Sequence, residues 1–168
     1  ISSHELNQPG TYQDVTDTTV TAQFKLIKDN LPDFLHSEDD IFVLAWTTTP
    51  WTLPSNTALT VGPKINYSLI KSFNQYTGVK ADYIVADELI SKQFAGNYFE
   101  VNDLKEIKNY EFDSKSIPYY KKSTFKGKDL ENIKYEQLLD YATPFSNPEN
   151  AFRIIIGDFV TTSDGTGI

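Results

Sequence analysis

Between Trp46 and Asn56 the chain reads Trp-Thr-Thr-Thr-Pro-Trp-Thr-Leu-Pro-Ser-Asn, which concentrates five hydroxyls and an amide in one short stretch. Such groups donate and accept hydrogen bonds without being strong nucleophiles, so the chemistry they suit is holding a water molecule or a polar substrate. Pro50 and Pro54 bias Thr49 and Leu53 toward extended backbone, which predicts a stiff loop able to aim side chains. If Thr47 to Thr49 continue a preceding strand, Thr47 and Thr49 share one side and Thr48 takes the other. Thr52 and Asn56 would add further polar groups from the turn beyond. The alternative is that threonine is simply a good strand former and that Pro50-Trp51 packs the core. A second candidate is Asp164-Gly165-Thr166-Gly167, where glycine allows close approach of backbone. As a phosphate loop it is weak, because no basic residue stands beside it.

Several other chemistries are excluded by residue type. Cysteine is absent, so there is no thiolate nucleophile, disulfide framework or Cys-type metal site. No Walker loop, Gly-x-Ser-x-Gly elbow or His-Glu-x-x-His helix occurs. His4 and His36 stand in polar surroundings without a partner at ligand spacing and are expected at the surface, so no metal site is expected. The net charge of -8 opposes a free-standing nucleic-acid binder. Contact with RNA would have to be local or assisted by a partner. No apolar run is long enough to cross a membrane, and Ile1 to Gly10 lacks a secretory layout, so a cytoplasmic location is expected.

The elements that would position these residues are mainly strands. Residues 19–26 alternate, with Val20, Ala22, Phe24 and Leu26 on one face, and predict a half-buried strand. Residues 30–40 read as a solvated loop, and Ile41 to Trp46 as a buried strand. Leu59 to Val61, Asn66 to Lys71 and Ala81 to Val85 continue the β pattern. A helix is predicted from Asp87 to Ala95, with Asp87 as N-cap and Gly96 just past its end. Tyr98 to Phe112 reads as strand-rich, and the basic stretch from Lys115 to Lys128 as a solvated loop face. Ala151 to Val160 reads as an apolar strand. Ser163-Asp164-Gly165 then reads as a hairpin turn, with Ile168 in the returning strand. At 168 residues, with 14% aromatic content, one domain with a substantial core is expected. The expected fold class is α+β, mainly β and barrel-like.

The string from Trp46 to Asn56 resembles the loop of the connective-peptide insertion, the editing domain, of isoleucyl-tRNA synthetases. Three further segments are similar to that family: Val15-Thr16-Asp17 with the strand ending at Phe24, Lys134-Tyr135 with Leu138 and Tyr141, and Asp164 to Ile168. Residues 72–118 match only loosely. Related valyl and leucyl enzymes carry Thr-Thr-Arg-Pro at this loop, so the residues flanking Pro50 point to isoleucine.

The resemblance implies hydrolysis of valine mischarged on isoleucine tRNA. Isoleucine and valine differ by one methylene, worth only about 1–3 kcal/mol of discrimination, a figure for which this enzyme family is the standard illustration. A second, smaller pocket then removes the wrong product. On this resemblance Thr47, Thr48, Thr49 and Thr52 would hold the water, ester or terminal ribose. Trp51, Asn56, Gly165, Thr166 and Gly167 would contact substrate. The partners implied are the 3′ end of the tRNA and the remainder of a synthetase. ATP and magnesium would serve only amino-acid activation, whose His-x-Gly-His and Lys-Met-Ser-Lys-Ser signatures do not occur here. In the family the Gly-Thr-Gly motif runs on to Val-His-x-Ala-Pro and a later Asp. Residues 1–168 are therefore expected to be a single editing domain, excised from a longer chain and cut within that motif.

Overall fold

Alternation of apolar and polar side chains builds the first strand, as the periodicity predicts. In the computed structural model, which describes residues 16, 18–29 and 31–168, Ala22 and Phe24 of β1 (Val20–Lys25) are buried, and Leu26 follows them inward. Expectations that rest on residues 1–15, 17 and 30, His4 and the Val15-Asp17 pair included, lie outside the described residues.

The strands after β1 are β2 (Ile41–Thr47), β3 (Ala58–Val61), β4 (Asn66–Phe73), β5 (Lys80–Ala86), β6 (Tyr98–Glu100), β7 (Ile117–Lys126) and β8 (Arg153–Ile156). Six of them form a mixed sheet in the order β1-β2-β5-β4-β7-β6, while β3 and β8 pair in parallel as a separate ribbon. The β2–β5 and β6–β7 pairings are parallel, and the others in the large sheet are antiparallel. Strands β4 and β5 are buried almost throughout, as expected for central strands covered on both faces. The main core gathers Phe24, Val43, Leu59, Leu69, Ile84 and Tyr135, so it joins the ribbon to the sheet. A smaller core of Phe73, Val101, Ile107 and Ile117 closes the β6 end. The architecture is mainly β with short helices, as expected.

Six local expectations are corrected. The helix predicted over Asp87–Ala95 is a 3-10 turn, Asp87–Leu89, followed by one α-turn, Ile90–Gln93. Asp87 is not its N-cap, because its carboxylate instead accepts from Ser68 Oγ and pairs with Lys121 Nζ at 2.5 Å. Within Tyr98–Phe112 only Tyr98–Glu100 is strand, and Leu104–Lys108 is a helix. Asp103 and Glu106 form a capping box there, with Lys105 N–H donating to Asp103 Oδ1 at 2.8 Å. The basic stretch is no loop: Ile117–Lys126 is the longest described strand, β7, and its Lys121 and Lys122 pair with Asp87 and Asp82. The strand predicted to Val160 ends at Ile156, where Gly157 turns the chain and leaves Phe159 80% exposed. No returning strand follows Asp164-Gly165, because residues 165–167 are drawn into the core instead.

Candidate functional site

The site begins where β2 and β5 part. Their parallel pairing runs from Ile41/Asp82 to Val43/Ile84, and beyond it Thr166 fills the gap. Thr166 Oγ1 accepts from Trp46 N–H at 3.2 Å, and its carbonyl accepts from Ala86 N–H at 3.0 Å, so one residue completes the edges of two diverging strands. Its neighbours must be glycine. Gly167 has φ +77°, and a Cβ there would lie 2.5 Å from that of Ala86. Gly165, at φ +73°, lies against the Trp46 ring. The segment is held further by Tyr67 Oη donating to Gly167 O at 2.6 Å and by Gln93 Nε2 donating to Gly165 O at 3.0 Å. Burial pushes the Tyr67 phenol up to about 12, so it remains a donor. At the surface, the Gly165 N–H and Lys92 hold the Asp164 carboxyl below its usual range.

On the other side of Trp46 lies a cleft of about 340 Å³ between the sheet and the β3–β8 ribbon. Its walls are largely apolar, from Phe24, Ala45, Leu59 and Val160, and Thr47 and Asn56 bring polar groups to it. Thr47 ends β2, and Thr49 turns back on it. Thr49 N–H donates to Thr47 Oγ1 at 3.0 Å, and the two hydroxyls stand 3.2 Å apart. Thr47 and Thr49 therefore share a side as the period predicts, but through a local turn after Thr47 rather than a continued strand. Thr52 Oγ1 donates to Thr49 O at 2.8 Å, which commits its proton to the loop. Thr48 is exposed, and its hydroxyl has no hydrogen-bond partner among the described residues.

Neither proline sets the residue before it as expected: Thr49, at φ -124° and ψ 62°, is not extended, because its N–H turns back to Thr47 Oγ1. Leu53 is not extended but lies inside a 3-10 helix, Pro50–Ser55, closed by Thr52 N–H to Thr49 O and Asn56 N–H to Leu53 O. Packing of the Leu53 side chain on the core outweighs the steric bias from Pro54. The alternative, in which Pro50-Trp51 packs the core, also fails, since Trp51 is 70% exposed and it is Leu53 that packs on the core.

Of the residues singled out from sequence, the fold thus brings Thr47 and Asn56 to the cleft, while Thr49 is exposed and tied to it only through Thr47. Thr48, Thr52 and Trp51 are exposed and do not line it. Gly165, Thr166 and Gly167 do not wall the cleft; they brace Trp46 from behind, and Ile168 after them reaches it. His36 is exposed, as expected. Phe24, Phe159 and Val160 were legible only as strand residues, and Tyr135, which holds Asn56, only as part of a similar segment. Among the described residues no group of three or more His, Asp or Glu could hold a metal ion, and no helix is long and apolar enough to cross a membrane.

No protein-family profile matches the chain. Along its whole length it is 49% identical to an isoleucine–tRNA ligase of Bacteroides fragilis and 52% identical to one of Cytophaga hutchinsonii, in each case spanning 14% of that protein. The isoleucine–tRNA ligase of Picrophilus torridus is 38% identical over the same span, which is 12% of its length. In fold the chain resembles the cytosolic leucyl-tRNA synthetase editing domain of P. knowlesi, with TM-score 0.59 at 13% identity over 89% of this chain and 56% of that one. That of P. falciparum gives TM-score 0.52 at 13% identity, covering 80% of this chain and 42% of that one.

Proposed function

From a chain that corresponds along its whole length to one segment of the isoleucine–tRNA ligases, we propose that this is the editing domain, which hydrolyses the ester between valine and the terminal ribose of isoleucine tRNA. The observation that carries the reading is an apolar cleft lined by Thr47 and Asn56, with the Thr49 hydroxyl 3.2 Å from that of Thr47. An apolar cleft takes a short aliphatic side chain, and the polar groups at its mouth stand where an ester and an attacking water would meet. Aminoacyl esters are already activated, so positioning can supply much of the rate without a protein nucleophile. Water adds to the ester carbonyl, the bond to the ribose oxygen breaks, and that oxygen takes the proton.

Thr48 and Thr49 are the residues proposed to hold the water or ester, and Thr47 orients Thr49. Thr52 stiffens the loop. Trp51, flat and exposed, offers a stacking surface for the terminal adenosine. Gly165-Thr166-Gly167 contributes by fixing Trp46. The tRNA 3′ end and the rest of a synthetase are the partners this reading requires, ATP and magnesium serve the separate activation step, and the setting is the cytoplasm.

The test is deacylation of valyl-tRNA by the complete synthetase. Thr48→Ala and Thr49→Ala are expected to lower the rate by about tenfold to a hundredfold while the thermal midpoint stays put. A folded wild-type enzyme that leaves valyl-tRNA intact overturns the reading.

A further inference from the structure

Asn56 lines the cleft, yet both ends of its amide are already engaged. Nδ2 donates to Ala58 O at 2.9 Å, and Oδ1 accepts from Tyr135 Oη at 2.6 Å. A carbonyl at Ala58 can only accept, so it dictates which end of the amide is nitrogen. Oδ1 must then meet the phenol, and the Tyr135 proton satisfies it. One Nδ2–H is left over, on a residue that borders the cleft. Without the phenol the amide would be tied at one point and free to turn about its terminal bond.

Tyr135 is unusually well fixed for a residue outside the strands. It is 1% exposed, and its ring stands edge-on to Phe24, a wall of the cleft, at 5.3 Å and to Phe152 at 6.2 Å. Its N–H donates to Phe152 O at 2.9 Å, while Phe152 N–H donates to Thr57 O at 2.7 Å. Phe152 itself has φ +57°, a left-handed conformation that an aromatic residue adopts only when its surroundings impose it. A closed circuit results, from Asn56-Thr57 through Tyr135 and Phe152 and back to Thr57. It joins three segments that are distant in the chain at the one place where the threonine loop ends.

We infer that Tyr135 is a positioning residue for the reaction, setting the Asn56 amide so that its remaining N–H is presented to the oxygen atoms of the ester or ribose. The phenol does not touch substrate, and it acts through Asn56 alone. Burial pushes its ionisation well above the physiological range, so it stays a proton donor at every working pH. The inference rests on the ester-hydrolysis reading, and the experiment separates the two.

Four forms of the complete synthetase are compared in steady-state deacylation of valyl-tRNA: wild type, Tyr135→Phe, Asn56→Ala and the double variant. Tyr135→Phe keeps the ring and removes only the hydroxyl. It is expected to lower kcat about tenfold with KM changed less than about twofold, and to add no further loss in the Asn56→Ala background. Charging with isoleucine serves as the control for folding and is expected to be unchanged in all four. Multiplicative losses in the double variant, or an unchanged kcat in Tyr135→Phe, overturn the role of Tyr135. Full kcat in Asn56→Ala overturns it whatever Tyr135→Phe does. A wild-type enzyme without deacylation removes the underlying reading, and this inference with it.

Discussion

The three adjacent threonines are not equivalent, and their differences are decided within a few ångströms. Thr47 and Thr49 spend part of their hydrogen-bonding capacity on each other, Thr52 spends its proton on the Thr49 carbonyl, and Thr48 spends none within the described residues. Substitution of Thr48 by Ala should therefore leave stability within about 0.5 kcal/mol, as for surface positions generally, which denaturant titration would check. Thr166 is the opposite case. Thr166→Val keeps the shape but removes the acceptor for Trp46 N–H, and is expected to cost about 1–3 kcal/mol, whereas Thr166→Ser should cost less because the hydroxyl remains. Gly167→Ala meets both a left-handed backbone and the Ala86 side chain. It should destabilise by more than about 1 kcal/mol, seen as a lowered unfolding midpoint; a neutral result would mean that residues 165–167 are not held as described.

At the scale of elements, the central strands carry charges that a buried sheet ordinarily lacks. Asp82 of β5 is fully buried between Lys71 of β4 at 3.1 Å and Lys122 of β7 at 2.7 Å, and Lys71 also reaches Asp39 at 2.5 Å. Lys71→Ala would leave Asp82 with one cation, and breaking a buried pair costs about 3–5 kcal/mol, which urea unfolding would measure. Burial opposes the charge on Asp39, but Lys71 and Lys80 outweigh it, and its carboxyl lies below 3.8. Asp87 is lowered in the same way: burial opposes its charge, and Lys121 and Ser68 prevail. A carboxylate with a depressed folded value contributes stability that is complete above 3.8 and lost as pH falls through the depressed value. Lys71 is raised above 10.5, since Asp39 and Asp82 outweigh its burial, so its share is present below 10.5 and lost as pH rises through the raised value. Thermal midpoints measured against pH should be flat between those limits and fall outside them; a decline already at neutral pH would contradict the network.

At the scale of the whole molecule, the cleft exists because a sheet and a separate ribbon are closed on one core, with Phe24, Leu59 and Tyr135 shared between them. The sequence by itself determined the strands whose side chains alternate or run apolar, β1 to β5, because a period of two is written in neighbouring residues. It also determined the candidate loop, since two prolines, two tryptophans and four threonines in so short a stretch carry their own signal. It did not show that the lysines of residues 115–128 belong to a strand, because a lysine that pairs with a buried aspartate on another strand has the same local signature as one in water. Nor did it show Asn56 meeting Tyr135, or Thr166 closing the gap between Trp46 and Ala86. Those contacts join residues 79 and 120 positions apart, and only the folding of the chain onto itself decides which distant donor finds which acceptor.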